Sequence, residues 1–166
     1  MHRCNISELS MVVDIKVKRV PSYTVASMMR IGPFRRNMLR AEFNQLVNWA
    51  KKKGIRSGKW ILYFLDEPGE ARPANKLRSE ACLQIRGKAK SEGRIKVKKL
   101  PAQKVASVTF DPDEVSPGLV YSGIYGWLRF AGYKDVGLSR ELYDGNPWTN
   151  ARAWAKAEVQ VPVKKK

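Results

Sequence analysis

Val13, Ile15 and Val17 alternate with Asp14, Lys16 and Lys18. That period of two is the mark of a strand with one buried face. Pro21 interrupts the ladder and bends it, and Val25-Ala26-Ser27-Met28-Met29 continues as extended chain. Gly32-Pro33 then breaks the strand and offers a helix start. Leu39, Phe43, Leu46, Val47 and Ala50 recur at helical spacing, predicting an amphipathic helix. Lys51, Lys52 and Lys53 crowd its last turn, where positive charge suits the helix dipole, and Gly54 stops it. The pattern predicts a strand at about 59–66, a turn-rich loop at 67–76 and a strand at about 79–86.

The same order then recurs. Ile15-Lys-Val-Lys-Arg-Val-Pro-Ser-Tyr-Thr-Val-Ala-Ser27 returns as Ile95-Lys-Val-Lys-Lys-Leu-Pro-Ala-Gln-Lys-Val-Ala-Ser107, identical at eight of 13 positions. Ala81-Cys82-Leu83-Gln84-Ile85 is echoed by Ala157-Glu158-Val159-Gln160-Val161. Strands are predicted at about 94–100, 103–110, 138–144 and 153–163. A helix capped by Ser116-Pro117 runs to about 131. The chain therefore predicts an α+β duplication: strand, bent strand, helix, strand, strand, twice. The repeats span about 12–88 and 93–163 of one domain over residues 1–166. Pseudo-two-fold packing of the two units would bury their sheets and leave a cleft between the halves, a favoured place for ligands.

Composition removes several function classes. Apolar residues make up 43% of the 166 residues, enough for a core despite the charge. The longest apolar run, Trp60–Leu65, has six residues, far below the roughly 20 that span a bilayer. No signal-peptide pattern follows Met1 and only Cys4 and Cys82 are present, so a cytoplasmic, reduced protein is expected. His2 is the single histidine, which argues against Ser-His-Asp and Cys-His catalysis and against a His/Cys zinc site. Gly54-Ile-Arg-Ser-Gly-Lys-Trp60 fails as a phosphate-binding loop in its spacing and at Trp60, where Ser or Thr is needed. No metal or cofactor is expected.

The net charge is +17 and lopsided. Residues 1–104 hold 24 basic and 8 acidic side chains, and residues 105–166 hold 8 and 7. Basic clusters at Lys51, Lys52, Lys53, Arg56 and Lys59, and at Arg35, Arg36 and Arg40, admit a nucleic-acid partner. A solvated basic surface is the simpler account.

Aromatic residues gather where the cleft could use them: Trp60, Tyr63 and Phe64 in the first unit, and Phe110, Tyr121, Tyr125, Trp127, Tyr143 and Trp148 in the second. Glu141 stands out. Alternation places it on the same strand face as Tyr143. A carboxylate beside a phenol among aromatic rings can attract a cationic or planar ligand. Desolvation can also fit it for acid/base chemistry. The same residue types equally suit an edge-strand glutamate paired with Arg140 or a surface lysine.

Taken in order, these features resemble the GyrI-like small-molecule-binding family. They are Ile15, Pro21 and Val25-Ala26; Phe43, Leu46 and Trp49; Tyr63-Phe64-Leu65-Asp66-Glu67-Pro68; Glu141-x-Tyr143-x-x-x-Pro147; and Val159-Gln160-Val161-Pro162-Val163. That family includes effector-binding domains of AraC- and MerR-type multidrug regulators and a DNA gyrase inhibitor. The resemblance covers about residues 12–163. It implies a stand-alone protein that binds hydrophobic xenobiotics, cationic or electrophilic, in an aromatic cleft. Glu141 would be the counter-charge, with Tyr143, Trp60, Tyr63, Phe64, Trp127 and Trp148 around it. A first alternative is a hydrolase of reactive cyclopropane-type compounds, using Glu141 with Tyr143 or Tyr63. A second is a basic interaction protein for nucleic acid or DNA gyrase. Residues 1–11 are too short for a helix-turn-helix, so the resemblance implies a sensor part alone. One segment departs from the family: Thr109-Phe-Asp-Pro-Asp-Glu114 replaces a His/Lys-x-Gly-x-Tyr-like stretch, which implies a different pocket rim there.

Overall fold

A computed structural model describes residues 14–66 and 72–166. Val13, and the Glu67-Pro68 part of the predicted turn, lie outside the described residues. The first unit contains β1 (Lys16–Val20), β2 (Tyr23–Ile31), α1 (Arg40–Lys52), β3 (Arg56–Phe64) and β4 (Arg78–Arg86). The second contains β5 (Lys96–Leu100), β6 (Gln103–Phe110), α2 (Pro117–Ala131), β7 (Tyr133–Asp135), β8 (Arg140–Tyr143), α3 (Ala151–Trp154) and β9 (Ala157–Lys165).

Nine strands form one antiparallel sheet curled into a half barrel; eight are ordered β1-β6-β9-β8-β3-β4-β2-β5, and β7 pairs with β9 off this path. The order reads the same from either end once each strand is exchanged for its copy. The pseudo-two-fold axis therefore passes between β3 and β8. The first strand of each unit crosses over, β1 to β6 and β5 to β2. Pro21 and Pro101 stand at the two bends that permit this crossing. In register, Ser27 faces Cys82 and Ser107 faces Gln160. Cys82 is thus equivalent to Gln160, two residues beyond its sequence match at Glu158. The slip keeps every side chain on its face. It also equates two ion pairs on the helix-free face, Lys18 with Glu158 and Lys98 with Glu80.

The two longer helices, α1 and α2, pack on the other face. α1 supplies Phe43 and Leu46, and α2 supplies Val120, Ile124 and Leu128, to one continuous core. α2 follows its sequence signals: Ser116 Oγ accepts from the Leu119 N–H at 3.2 Å, Pro117 opens the helix, and Gly132 (φ 76°) ends it. α1 starts later than Gly32-Pro33 suggests. Met38 and Leu39 are both buried, and Leu39 takes a left-handed φ of 69°. That conformation costs on the order of 1–3 kcal/mol for a non-glycine residue, offset by burial of the leucine. The consequence is a non-helical segment, 33–39, running along the helix side of the sheet. The strand expected from residue 153 begins at Ala157, because Asn150 caps α3 by accepting from the Arg152 and Ala153 N–H groups. β7, which pairs with β9, is not foreshadowed by any pattern.

The helix-free face holds Tyr23, Val25, Ile61, Cys82, Leu100 and Leu142. Arg140 lies among them with no solvent exposure. Its Nε donates to Gln160 Oε1 at 2.8 Å, and its guanidinium lies 5.5 Å from the Tyr23 ring centre. Burial lowers its pKa, opposed by nearby acidic groups. The Cys82 thiol is fully buried, and its pKa is pushed far up by burial. Thiolate is the reactive form. In a Cys4→Ser background, we expect Cys82 to ignore a disulfide reagent in native buffer and to react once denaturant unfolds the chain. Rapid native labelling would contradict this burial. No helix among the described residues is long and apolar enough to cross a membrane.

Candidate functional site

The site is built at the pseudo-two-fold axis. β3 and β8 pair there, with Leu62 opposite Glu141 and Trp60 opposite Tyr143. Alternation turns Trp60, Leu62, Phe64, Glu141 and Tyr143 toward the helices, and turns Tyr63 and Arg140 away. The alternative of a Glu141–Arg140 pair is therefore removed by the strand itself: neighbours in a strand face opposite sides.

Above Glu141 lies a cavity of about 650 Å³. Leu62, Phe64, Phe34, Trp148 and Trp154 form apolar walls, and α2 contributes Tyr121 and Tyr125. Phe34 and Phe64 meet at 5.1 Å between ring centres. Tyr143 stacks on Trp154 at 6.1 Å with 8° between planes. The segment 33–39 closes one side. Trp148 Nε1 donates to the Arg36 carbonyl at 3.1 Å, and the Arg36 guanidinium lies 4.4 Å from the Trp154 ring centre. The cavity thus lies between the halves: β3 and segment 33–39 come from the first, α2, β8 and α3 from the second.

Glu141 receives two phenols. Tyr121 donates to Oε1 at 3.1 Å and Tyr143 to Oε2 at 3.2 Å. No lysine or arginine among the described residues pairs with it. Its side chain lines the cavity yet is poorly solvated, and burial raises its pKa above the usual carboxylate value; the two phenol hydrogen bonds oppose this without cancelling it. Burial, followed by the Glu141 charge, pushes the hydroxyls of Tyr121 and Tyr143 well up. Both tyrosines therefore stay protonated and keep donating. With their protons directed at Glu141, the phenol oxygens and the ionised carboxylate offer acceptor lone pairs, and the Ser139 hydroxyl, also in the lining, meets Tyr121. The floor of the cavity is thus rich in acceptors.

The sequence-predicted residues divide. Glu141, Tyr143, Phe64 and Trp148 line the cavity together. Trp60 does not line it but supports it from behind, stacked on Phe43 at 4.8 Å and touching Trp148 at 6.2 Å between ring centres. Trp127 points elsewhere and stacks on Tyr133 at 6.0 Å. Tyr63 lies on the far side of the sheet beside Arg140. It is therefore no partner of Glu141; Tyr143, the other candidate, donates to that carboxylate, and Tyr121 joins it. Spacing could have found Tyr121: Pro117, Tyr121 and Tyr125 follow one another at four-residue steps of α2, a single stripe. No cluster of three or more His, Cys, Asp or Glu among the described residues could hold a metal.

Comparison with known proteins agrees with the fold. The E. coli (strain K12) DNA gyrase inhibitor is 29% identical over 75 residues, covering 45% of this chain and 46% of that protein. The chain thus spans about half the length of the curated relatives it matches. The EcmrR C-terminal domain superposes with a TM-score of 0.77 at 21% identity, covering 94% of this chain and all of that one. A hydrolase encoded by lin2189 from Listeria innocua gives 0.64 at 9% identity, covering 90% and 91%. Both likenesses concern the fold. The model of the GyrI-like small molecule binding domain matches residues 14–164, the whole duplicated sheet with its cavity, and the chain belongs to that family.

Proposed function

We propose that the cavity binds flat, hydrophobic small molecules that present a hydrogen-bond donor or a cationic head to Glu141. One observation carries the reading: a desolvated carboxylate, without a cation of its own, at the floor of an aromatic cavity. Aromatic walls reward a planar apolar body, and the carboxylate rewards a donor. Trp148 and Trp154 line the walls, so intrinsic tryptophan fluorescence reports occupancy. Titration with rhodamine 6G, a planar aromatic cation with N–H donors, should give saturable quenching at one equivalent. Tyr121→Phe and Tyr143→Phe should each weaken binding several-fold, since each phenol orients one Glu141 oxygen. Absence of saturable binding would refute the reading.

The raised Glu141 pKa beside two phenols also favours a second reading, hydrolysis of electrophilic cyclopropane compounds with Glu141 moving the proton. Turnover abolished in Glu141→Ala would support it; binding without turnover would leave the first reading alone.

A further inference from the structure

We propose that the ligand carries an anionic group besides its donor head, and that Arg35 and Arg36, on the segment that closes one side of the cavity, receive that group. This rests on the binding reading above and narrows its ligand class.

The argument is a charge count over the cavity lining. Four charged residues line it: Arg35, Arg36, Asp66 and Glu141. Asp66 is already committed. It accepts from Arg78 Nε at 3.0 Å, Arg78 Nη2 at 2.9 Å and the Arg78 N–H at 2.8 Å, and Arg72 lies 3.4 Å away. Those bonds hold its carboxyl below the usual range. Glu141 is committed to two phenols.

The two arginines are much less satisfied. Arg36 meets Asp113 at 3.4 Å through two exposed side chains, a contact worth little in water. The exposed Arg35 side chain has no ion pair or hydrogen bond with any described residue. The lining therefore presents acceptors at its floor and, on segment 33–39, two exposed guanidinium groups that no buried carboxylate among the described residues engages. Guanidinium forks suit carboxylate or sulfonate. Arg36 is also partly held, its guanidinium 4.4 Å from the Trp154 ring centre and its carbonyl accepting from the Trp148 indole, which reduces the ordering left to binding. The wider field points the same way. A chain of +17 repels a purely cationic ligand and draws in one with an anionic end. An amphoteric aromatic compound satisfies floor, arginines and field together.

A matched probe pair tests this on the full chain. Rhodamine 6G is an ethyl ester and a cation; rhodamine 19 is its free acid, with the same aromatic head and a carboxylate. By fluorescence anisotropy at low salt, the acid should bind about tenfold more tightly than the ester. Arg35→Gln, an exposed change that should leave the melting temperature alone, should remove several-fold more of the acid's affinity than of the ester's. Arg35→Gln/Arg36→Gln should erase the preference. Raised salt should shrink it. Equal binding of ester and acid, or equal losses of both in Arg35→Gln, would overturn the inference while the binding reading stands. If neither dye binds, or both bind Glu141→Gln as well as wild type, the binding reading fails and the inference with it.

Discussion

Glu141→Gln should weaken binding of rhodamine 6G about 10- to 100-fold and, at neutral pH, raise the melting temperature. Both effects come from one desolvated charge. A hydrogen bond or ion pair to a charged group contributes about 1.5–3 kcal/mol more than none. The amide keeps the shape of the carboxyl but offers one acceptor oxygen, no charge, and an NH2 group facing a phenol oxygen. Stability moves the other way because burial raises the pKa of this carboxyl in the folded chain. Its support of the fold is complete below the unfolded pKa and is lost as pH rises through the raised folded value. At neutral pH the wild type therefore carries a penalty that glutamine lacks, and the gain in the variant should fade on acidification. The wild type's affinity for the cationic dye should fall as pH drops through the same raised pKa, and the variant's should stay flat. Calorimetry and dye titration from pH 4 to 8 read both. Equal dye affinity in the two proteins, or a variant less stable at pH 7, would sink the account.

What the sequence made legible follows from how local each signal is. The duplication needed only the match between Ile15–Ser27 and Ile95–Ser107. The crossing of β1 to β6 and β5 to β2 was not legible, because it is a choice between equivalent partners made by the assembled sheet. Glu141 and Tyr143 share a face by strand alternation, and the structure keeps them together. The same alternation separates Tyr63 from Trp60 and Phe64, and grouping the three as one wall ignored it. Trp127 fell out for a related reason: α2 shows the cavity one stripe, through Tyr121 and Tyr125, and Trp127 lies off it. Phe34, Arg35 and Arg36 had no periodic signal at all. Their segment is placed by the burial of Met38 and Leu39 and by the left-handed Leu39, which no local pattern announces. The charge asymmetry takes on a specific meaning only with that placement, since two of its cations line the candidate site.

Phe43→Ala is the change we expect to cost most stability, about 3–5 kcal/mol, with a marked loss of denaturant midpoint. Phe43 is fully buried on α1. It stacks on Trp60 at 4.8 Å and tilts against Trp148 at 5.9 Å between ring centres. Truncation removes apolar burial, forfeits two aromatic contacts worth about 0.5–1.5 kcal/mol each, and leaves a void that the sheet beneath β3 cannot close. Trp148 lines the cavity, so a loosened Trp60 and Trp148 should also weaken dye binding modestly and red-shift tryptophan emission. Phe43→Leu, nearer in volume, should cost far less, separating lost packing from lost ring contacts. The stability loss should not vary with pH, because no ionisable group is among these contacts; the Glu141→Gln gain should. Two changes with opposite signs and different pH dependence thus divide the core that holds the wall from the charge that serves the ligand. Guanidinium unfolding followed by fluorescence and circular dichroism measures both. A Phe43→Ala midpoint within error of wild type would show that the aromatic stack does not hold the wall.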